Sequence, residues 1–252
     1  MTQVNRLLGL ARSLVIYHGI PGRQRRLRRF YSRFVSSGNL VFDIGAHAGN
    51  RARAFAAIGC RVVAVEPQPD FARLLRALFK GSGDVTVIEA AVGTSVGRSL
   101  LSISERTPTV TTLDEGWREA RGWEPDFSHV TWDARVDVET TTLDVLIERF
   151  GMPAFVKIDV EGGEPGVLAG LSRPVPALSF EYLPRALDYA RRCTERLDQI
   201  GDYHYNWSFG ESSELADERW MTAAALMTAL ATPLAQRRPG DVYARLAAHG
   251  PT

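Results

Sequence analysis

The stretch Leu40-Val-Phe-Asp-Ile-Gly-Ala-His-Ala-Gly49 constrains this chain most, because an apolar run gives way abruptly to a glycine-bracketed turn and then to helical spacing. Leu40 to Ile44 read as a short strand buried at the centre of a parallel sheet. Gly45 and Gly49 bracket the turn, and Arg51 to Ile58 continue as a helix. In open α/β sheets small ligands bind outside the carboxyl ends of the strands, where glycine lets a backbone approach them closely. The order of residues narrows the ligand: a pyrophosphate fingerprint runs G-x-G-x-x-G, whereas here Asp43 comes first, followed by Gly45 and Gly49. A carboxylate at that point repels a pyrophosphate and suits a ligand carrying an amino group and a sulfonium. The competing reading is a structural turn with Asp43 as a helix cap.

Other strand tips carry acids too. Arg61 to Val65 reads as a second buried strand ending in Glu66-Pro67, about 20 residues beyond the glycine turn, where such folds hydrogen-bond ribose hydroxyls. A helix over Asp70 to Lys80 leads to a third strand, Val85 to Ile88, followed by Glu89-Ala90. Residues 96–103 and Val136 to Thr141 read as further strands, and Thr142 opens a helix. Ala154 to Ile158 is a fourth buried strand that delivers Asp159-Val-Glu161-Gly-Gly-Glu164 into a turn and a helix from Pro165 to Leu171. Val175 to Phe180 makes a fifth, ending at Glu181-Tyr182. Tyr203 to Phe209 and Gly240 to Leu246 complete the strands, one of them reversed.

At 252 residues and a net charge of +1, the chain suits one α/β domain and argues against a nucleic-acid binder with a broad electrostatic field. Cys60 and Cys193 lack any CxxC spacing, so neither a disulfide framework nor a cysteine zinc site is expected, and a reducing, cytoplasmic setting is. The apolar segment Leu7 to Ile16 is interrupted by Arg12 and too short to span a bilayer. Residues 4–18 have helical spacing. A second helix is expected from Arg23 to Ser36, with Leu27, Phe30, Tyr31 and Phe34 inward and Arg23, Arg25, Arg26, Arg28, Arg29 and Arg33 on the remaining surface. That basic face reads as solvated, or as a contact for phosphate-bearing acceptors or an anionic membrane surface. Between Ser104 and Arg135 patterning weakens. Thr107, Thr109, Thr111 and Thr112 with Trp117, Trp123 and Trp132 suit acceptor recognition there, or pin the loop to the core.

The segments Asp43-Ile-Gly-Ala, Val65-Glu-Pro, Ala90-Ala-Val-Gly, Thr140-Thr-Thr-Leu-Asp144 and above all Lys157-Ile-Asp-Val-Glu-Gly-Gly-Glu164 resemble the FkbM family of methyltransferases, in order over about residues 38–182. One departure is His47, where members commonly carry Asn. The resemblance implies a class I, Rossmann-like fold: a seven-stranded, mostly parallel sheet with helices on both faces, here residues 37–252, behind an N-terminal helical flank over residues 1–36. It implies S-adenosylmethionine as methyl donor, with Asp43, Gly45, Ala46, His47, Gly49, Glu66 and Pro67 around it and Glu89 and Ala90 against the adenine. Asp159 is the first candidate for catalytic base or acceptor-orienting residue, followed by Glu161 and Glu181. These carboxylates could instead hold a divalent cation. Glu164 has a structural rival role at the helix start, and Lys157 reads as a buried partner that neutralises the acids. His18, His129, His204 and His249 have no motif around them. The expected reaction is O-methylation of a sugar, glycolipid or polyketide-like hydroxyl; the alternatives are a nucleic-acid methyltransferase, supported only by the arginine-rich helix, a non-catalytic protein of the same fold, or an NAD-type oxidoreductase.

Overall fold

The computed structural model describes residues 20–104, 134–210 and 212–247. The expected first helix, the threonines and tryptophans between Thr107 and Trp132, and His18, His129 and His249 lie outside them.

The described chain opens with helix α1 (Arg23–Tyr31), which ends before the expected Ser36 in a short run of turns. Strand β1 (Leu40–Ile44), helix α2 (Asn50–Ile58), β2 (Arg61–Val65), α3 (Pro69–Leu78) and β3 (Val85–Ile88) form the first parallel units. After β4 (Ala91–Val92), β5 (Gly97–Ile103) and β6 (Ala134–Thr141) come α4 (Leu143–Phe150), β7 (Phe155–Ile158), α5 (Glu164–Ala169), β8 (Ala177–Tyr182) and α6 (Leu187–Ile200). Strand β9 (Tyr203–Phe209), helix α7 (Ala223–Leu230) and β10 (Gly240–Leu246) close it.

The main sheet has seven strands in the order β3-β2-β1-β7-β8-β10-β9, with β10 antiparallel to both neighbours. Strands β4, β6 and β5 form a separate small sheet. Every residue of β1 is buried, as its central place with helices over both faces demands. Side chains alternate across the sheet. Phe42, Ile44, Val63, Val65, Val156, Ile158, Leu178 and Phe180 face the core shared with α4, α5, α6 and α7. Val41, Val62, Ala64, Phe155, Ala177 and Tyr243 face the core under α1, α2 and Leu75 of α3. Helix α1 and the turn after it are sealed onto that second face by aromatic contacts: Phe30 and Phe34 lie against Tyr243, and Tyr31 against Phe55 and Phe155. Among the described residues, no helix is long and apolar enough to cross a membrane. Cys60 and Cys193 are both buried free thiols.

Candidate functional site

On the α1 and α2 side of the sheet the apolar alternation turns polar towards the carboxyl ends of the parallel strands. In register, Asp43 on β1 lies beside Lys157 on β7, and Lys157 beside Ser179 on β8. One step further out, Glu181 on β8 lies beside Asp241 on β10. The antiparallel course of β10 brings its first residues to the edge where the parallel strands end.

A cleft at this edge is lined by Asp43, Gly45, Ala46, His47, Asn50, Arg51, Lys157 and Asp159. The amides of Gly45 and Ala46 both donate to the Val65 carbonyl, at 2.9 and 3.0 Å, which folds the turn across the end of β2. Gly45 has φ 78°, and a Cβ there would collide with the Asp159 carbonyl, so only glycine lets the two strand tips close up. Glu66, at the end of β2, accepts from the amides of His47 (2.8 Å) and Gln68 (2.8 Å), clamping the turn to the next strand. Burial pushes its carboxyl up to about 7 against the pull of those two donors. Burial likewise raises Asp43 to about 6, with Lys157 and Arg51 opposing, and lowers His47 to about 4. His47 is therefore neutral near pH 7 and its ring packs on Phe71, 4.0 Å between centroids.

Lys157 is 1% exposed yet stays charged: burial would lower its pKa, but Asp159 and Asp241 hold it well above the ordinary value. Its Nζ lies 3.3 Å from Asp159 Oδ2 and 3.1 Å from Asp241 Oδ1. Asp241 Oδ2 in turn accepts from the Tyr243 hydroxyl at 3.3 Å. The expected neutralising role of Lys157 thus has a defined geometry, and Asp241 is its second partner.

At the edge of the cleft, carboxylate oxygens of the lining residue Asp159 and of Glu161 and Glu181 beside it all lie within 4.8 Å of one another. Burial, then Glu161, Asp159, Glu164 and Asp241 in that order, pushes Glu181 well above the usual carboxylate range. Glu161 has a left-handed backbone (φ 52°), which is uncommon for a residue with a Cβ. Glu164 is buried, accepts from the Val160 amide at 3.1 Å, and is raised by burial to about 7; it braces the loop at the start of α5.

The fold therefore brings Asp43, Gly45, Ala46, His47 and Asp159 into one cleft, joins Glu66 to it through the His47 amide, and gathers Glu161 and Glu181 beside Asp159. Gly49 sits behind the turn at the start of α2, against Leu75. Pro67 and the buried Ala90 follow the tips of β2 and β3, while Glu89 pairs with Arg76 on the surface. His204 sits on β9, away from the cleft. Asn50, Arg51 and Asp241 were not expected. The first two follow Gly49 directly, so their place in the helix start is a usable signal; nothing local to Asp241 marks it, because only sheet order carries it to this edge.

The residues present fit a cationic, amino-bearing donor. Asp43 lines the cleft, and its buried Oδ2 has no hydrogen-bond partner among the described residues, so an ammonium group would satisfy it. The neutral His47 adds no charge that would repel a sulfonium.

Comparison with known proteins gives the same direction. The family profile for the methyltransferase FkbM domain matches residues 43–213. Similar solved structures include precorrin-6y C5,15-methyltransferase from Geobacter metallireducens, 14% identical over 88% of this chain and 86% of that one, TM-score 0.44. Others are a TehB-like SAM-dependent methyltransferase from Corynebacterium glutamicum (10% identical, 88% and 87% covered, TM-score 0.45) and Aeropyrum pernix fibrillarin with natively bound S-adenosyl-L-methionine (12% identical, 84% and 68% covered, TM-score 0.40). No curated protein sequence matches the chain. The span matched by the profile runs from Asp43 through the Lys157 to Glu164 segment and past β9, and the chain accordingly belongs to the FkbM methyltransferase family, with a class I fold and S-adenosylmethionine-dependent methyl transfer as its activity.

Proposed function

We propose that the protein methylates a hydroxyl group of a sugar, glycolipid or polyketide-like small molecule. The observation that supports this reading is the cluster of Asp159, Glu161 and Glu181 at the carboxyl ends of β7 and β8, beside the donor turn. A neutral hydroxyl has to shed a proton as it attacks, and it has to be held in line. Asp159, held by Lys157 and 38% exposed, orients the hydroxyl and takes its proton, with the carboxylates of Glu161 and Glu181 beside it. The donor supplies an electrophilic methyl on its sulfonium. Asp43 pairs with its amino group and Glu66 takes the ribose hydroxyls with the lone pairs left by the two amides. The backbone of Gly45, Ala46 and Gly49 shapes the turn, His47 gives a neutral polar contact, and Pro67 and Ala90 border the adenine, with Glu89 turned to Arg76 at the surface.

Calorimetric titration with S-adenosylmethionine, with NAD as control, tests the donor half. Glu66→Ala is expected to abolish binding, and unchanged affinity in that variant would sink the assignment. For the acceptor half, a cell extract incubated with enzyme and isotopically labelled donor should show one new methylated species by mass spectrometry. Asp159→Ala should keep donor affinity and lose at least about a hundredfold in transfer; full activity would refute its role. A second reading follows from the spacing of the same three carboxylates: they hold a divalent cation that orients the hydroxyl. Loss of transfer on EDTA treatment, restored by Mg²⁺, would favour it, and indifference to EDTA would exclude it.

A further inference from the structure

We propose that the outward face of α1 is a docking surface for an anionic lipid bilayer, which it meets peripherally. Five arginines, Arg25, Arg26, Arg28, Arg29 and Arg33, are exposed along this helix of nine residues and the turn after it, a length of about 20 Å at most. Among the described residues none of the five guanidinium groups has an ion-pair or hydrogen-bond partner, whereas Arg73, Arg76, Arg98 and Arg173 elsewhere on the surface each meet a carboxylate.

The pattern is costly to the helix that carries it. Arg25 stands one turn from Arg28 and Arg29, and Arg26 from Arg29, so like charges repel at the spacings where surface helices usually place opposite ones. The first turn has no acid, and Gly22 at its start offers no side-chain cap, so Arg25 and Arg26 also oppose the helix dipole. Packing holds the helix in place: Leu27, Phe30 and Tyr31 are buried against α2 and the sheet. A local rule broken on one face while the opposite face is well packed points to a use for the broken face. A multivalent anionic surface relieves that repulsion.

The charge is also segregated along the chain. Eight arginines precede Asp43 with no lysine, aspartate or glutamate among them, so on a net charge of +1 the remainder is acidic. A basic α1 on a chain whose remainder is net acidic favours this face towards an anionic plane. Several features favour a bilayer over a nucleic acid. The arginines lie on a convex helix face, and the rings of α1 and the turn after it point inward, Phe30 and Tyr31 buried and Phe34 stacked on Tyr243, leaving no exposed ring on α1 for bases to stack on. Ile20, 48% exposed, and the exposed Pro21 stand at the start of the basic face, apolar groups fit for the headgroup boundary. That end also borders the methyl-transfer cleft: Gln24 Nε2 donates to the carbonyl of Asn50, a cleft-lining residue, at 3.0 Å.

The test is sedimentation of the full chain with vesicles of phosphatidylcholine alone and of phosphatidylcholine mixed with phosphatidylglycerol. The expected result is partition into the mixed vesicles only, weakened at least about tenfold when salt is raised from about 0.1 M to about 0.5 M. The variant Arg25→Gln/Arg26→Gln/Arg28→Gln/Arg29→Gln/Arg33→Gln should lose partition by more than about a hundredfold while keeping its affinity for S-adenosylmethionine, which reports a folded chain. If that variant does not fold, Arg28→Gln/Arg29→Gln should still lose about tenfold. Absence of wild-type partition, equal partition into neutral vesicles, undiminished partition in the folded variants, or arginine-dependent binding of a structured RNA without vesicle binding would each overturn the proposal.

Discussion

Burial holds the carboxyl of Asp43 near pKa 6 and those of Glu66 and Glu164 near 7, so the folded chain keeps protons there that the unfolded chain has already released. A folded-state pKa above the unfolded one gives stability that is complete below the unfolded value and lost as pH rises through the folded one. His47, lowered by burial to about 4, acts in the opposite sense below its ordinary value and is silent above it. Above about pH 6.5 the acids therefore act alone, Glu181 adding to the other three in the same direction, and the donor-free protein should lose stability between there and about pH 8, on the order of 2 kcal/mol or several degrees in thermal midpoint. Glu164→Gln should flatten this slope; a midpoint that rises over the same interval would contradict the assignment. Donor binding runs the other way, since the positively charged ligand favours ionised Asp43: its affinity should strengthen as pH rises from about 5.5 to 7, measured by calorimetry. A second residue-scale expectation concerns Asp241. Asp241→Asn leaves the buried Lys157 ammonium with one carboxylate instead of two and should cost about 3 kcal/mol in urea denaturation. In a double-mutant cycle with Lys157→Met the two costs should fall well short of adding.

At the scale of elements, the site is a set of strand ends held together by the turn after β1. Gly45→Ala tests that turn, because a Cβ would drive the tip of β1 into the backbone of Asp159 while φ 78° already disfavours a side chain. The variant should lose donor binding and several kcal/mol of stability; wild-type donor affinity would show that the two tips need not touch. These strand ends are also what local sequence makes legible. Glu66, Asp159 and Glu181 each follow an apolar run and Asp43 stands one residue before the end of another, and such runs state where a buried strand stops without reference to any other part of the chain. Thr142 could be read as the start of α4 for the same local reason, and its hydroxyl accepts from the Val145 amide. Pairing is not local. Nothing in residues 96–103 says that they leave the main sheet to pair with β6, and nothing around Glu89 says that Arg76 on α3 will draw it to the surface. Arg51 lies in the first turn of a helix and reaches Tyr31 on α1, a contact fixed only when α1 packs across α2.

At the scale of the molecule, the order β3-β2-β1-β7-β8-β10-β9 means that the last strand in sequence is inserted between two earlier ones. Strand β9 has no neighbour in the main sheet except β10, and β8 has only β7 on its other side. Strand β10 therefore supplies the pairing for both, together with the buried side chains Val242, Tyr243 and Ala244, the aromatic seat for Phe30 and Phe34, and Asp241 for Lys157. The segment that matches the family profile ends before all of this, at residue 213. A chain cut there keeps Asp43, Glu66, Asp159, Glu161 and Glu181 but exposes the edge of β8, strands β9 without a partner, and leaves a buried ammonium undercompensated. Truncation after Ser213 should accordingly abolish both the cooperative thermal transition and S-adenosylmethionine binding, while truncation after Ala247, which spares β10, should preserve both. Calorimetry and circular dichroism on the two truncated chains decide the matter: donor binding by the shorter chain would show that the site assembles without its final strand.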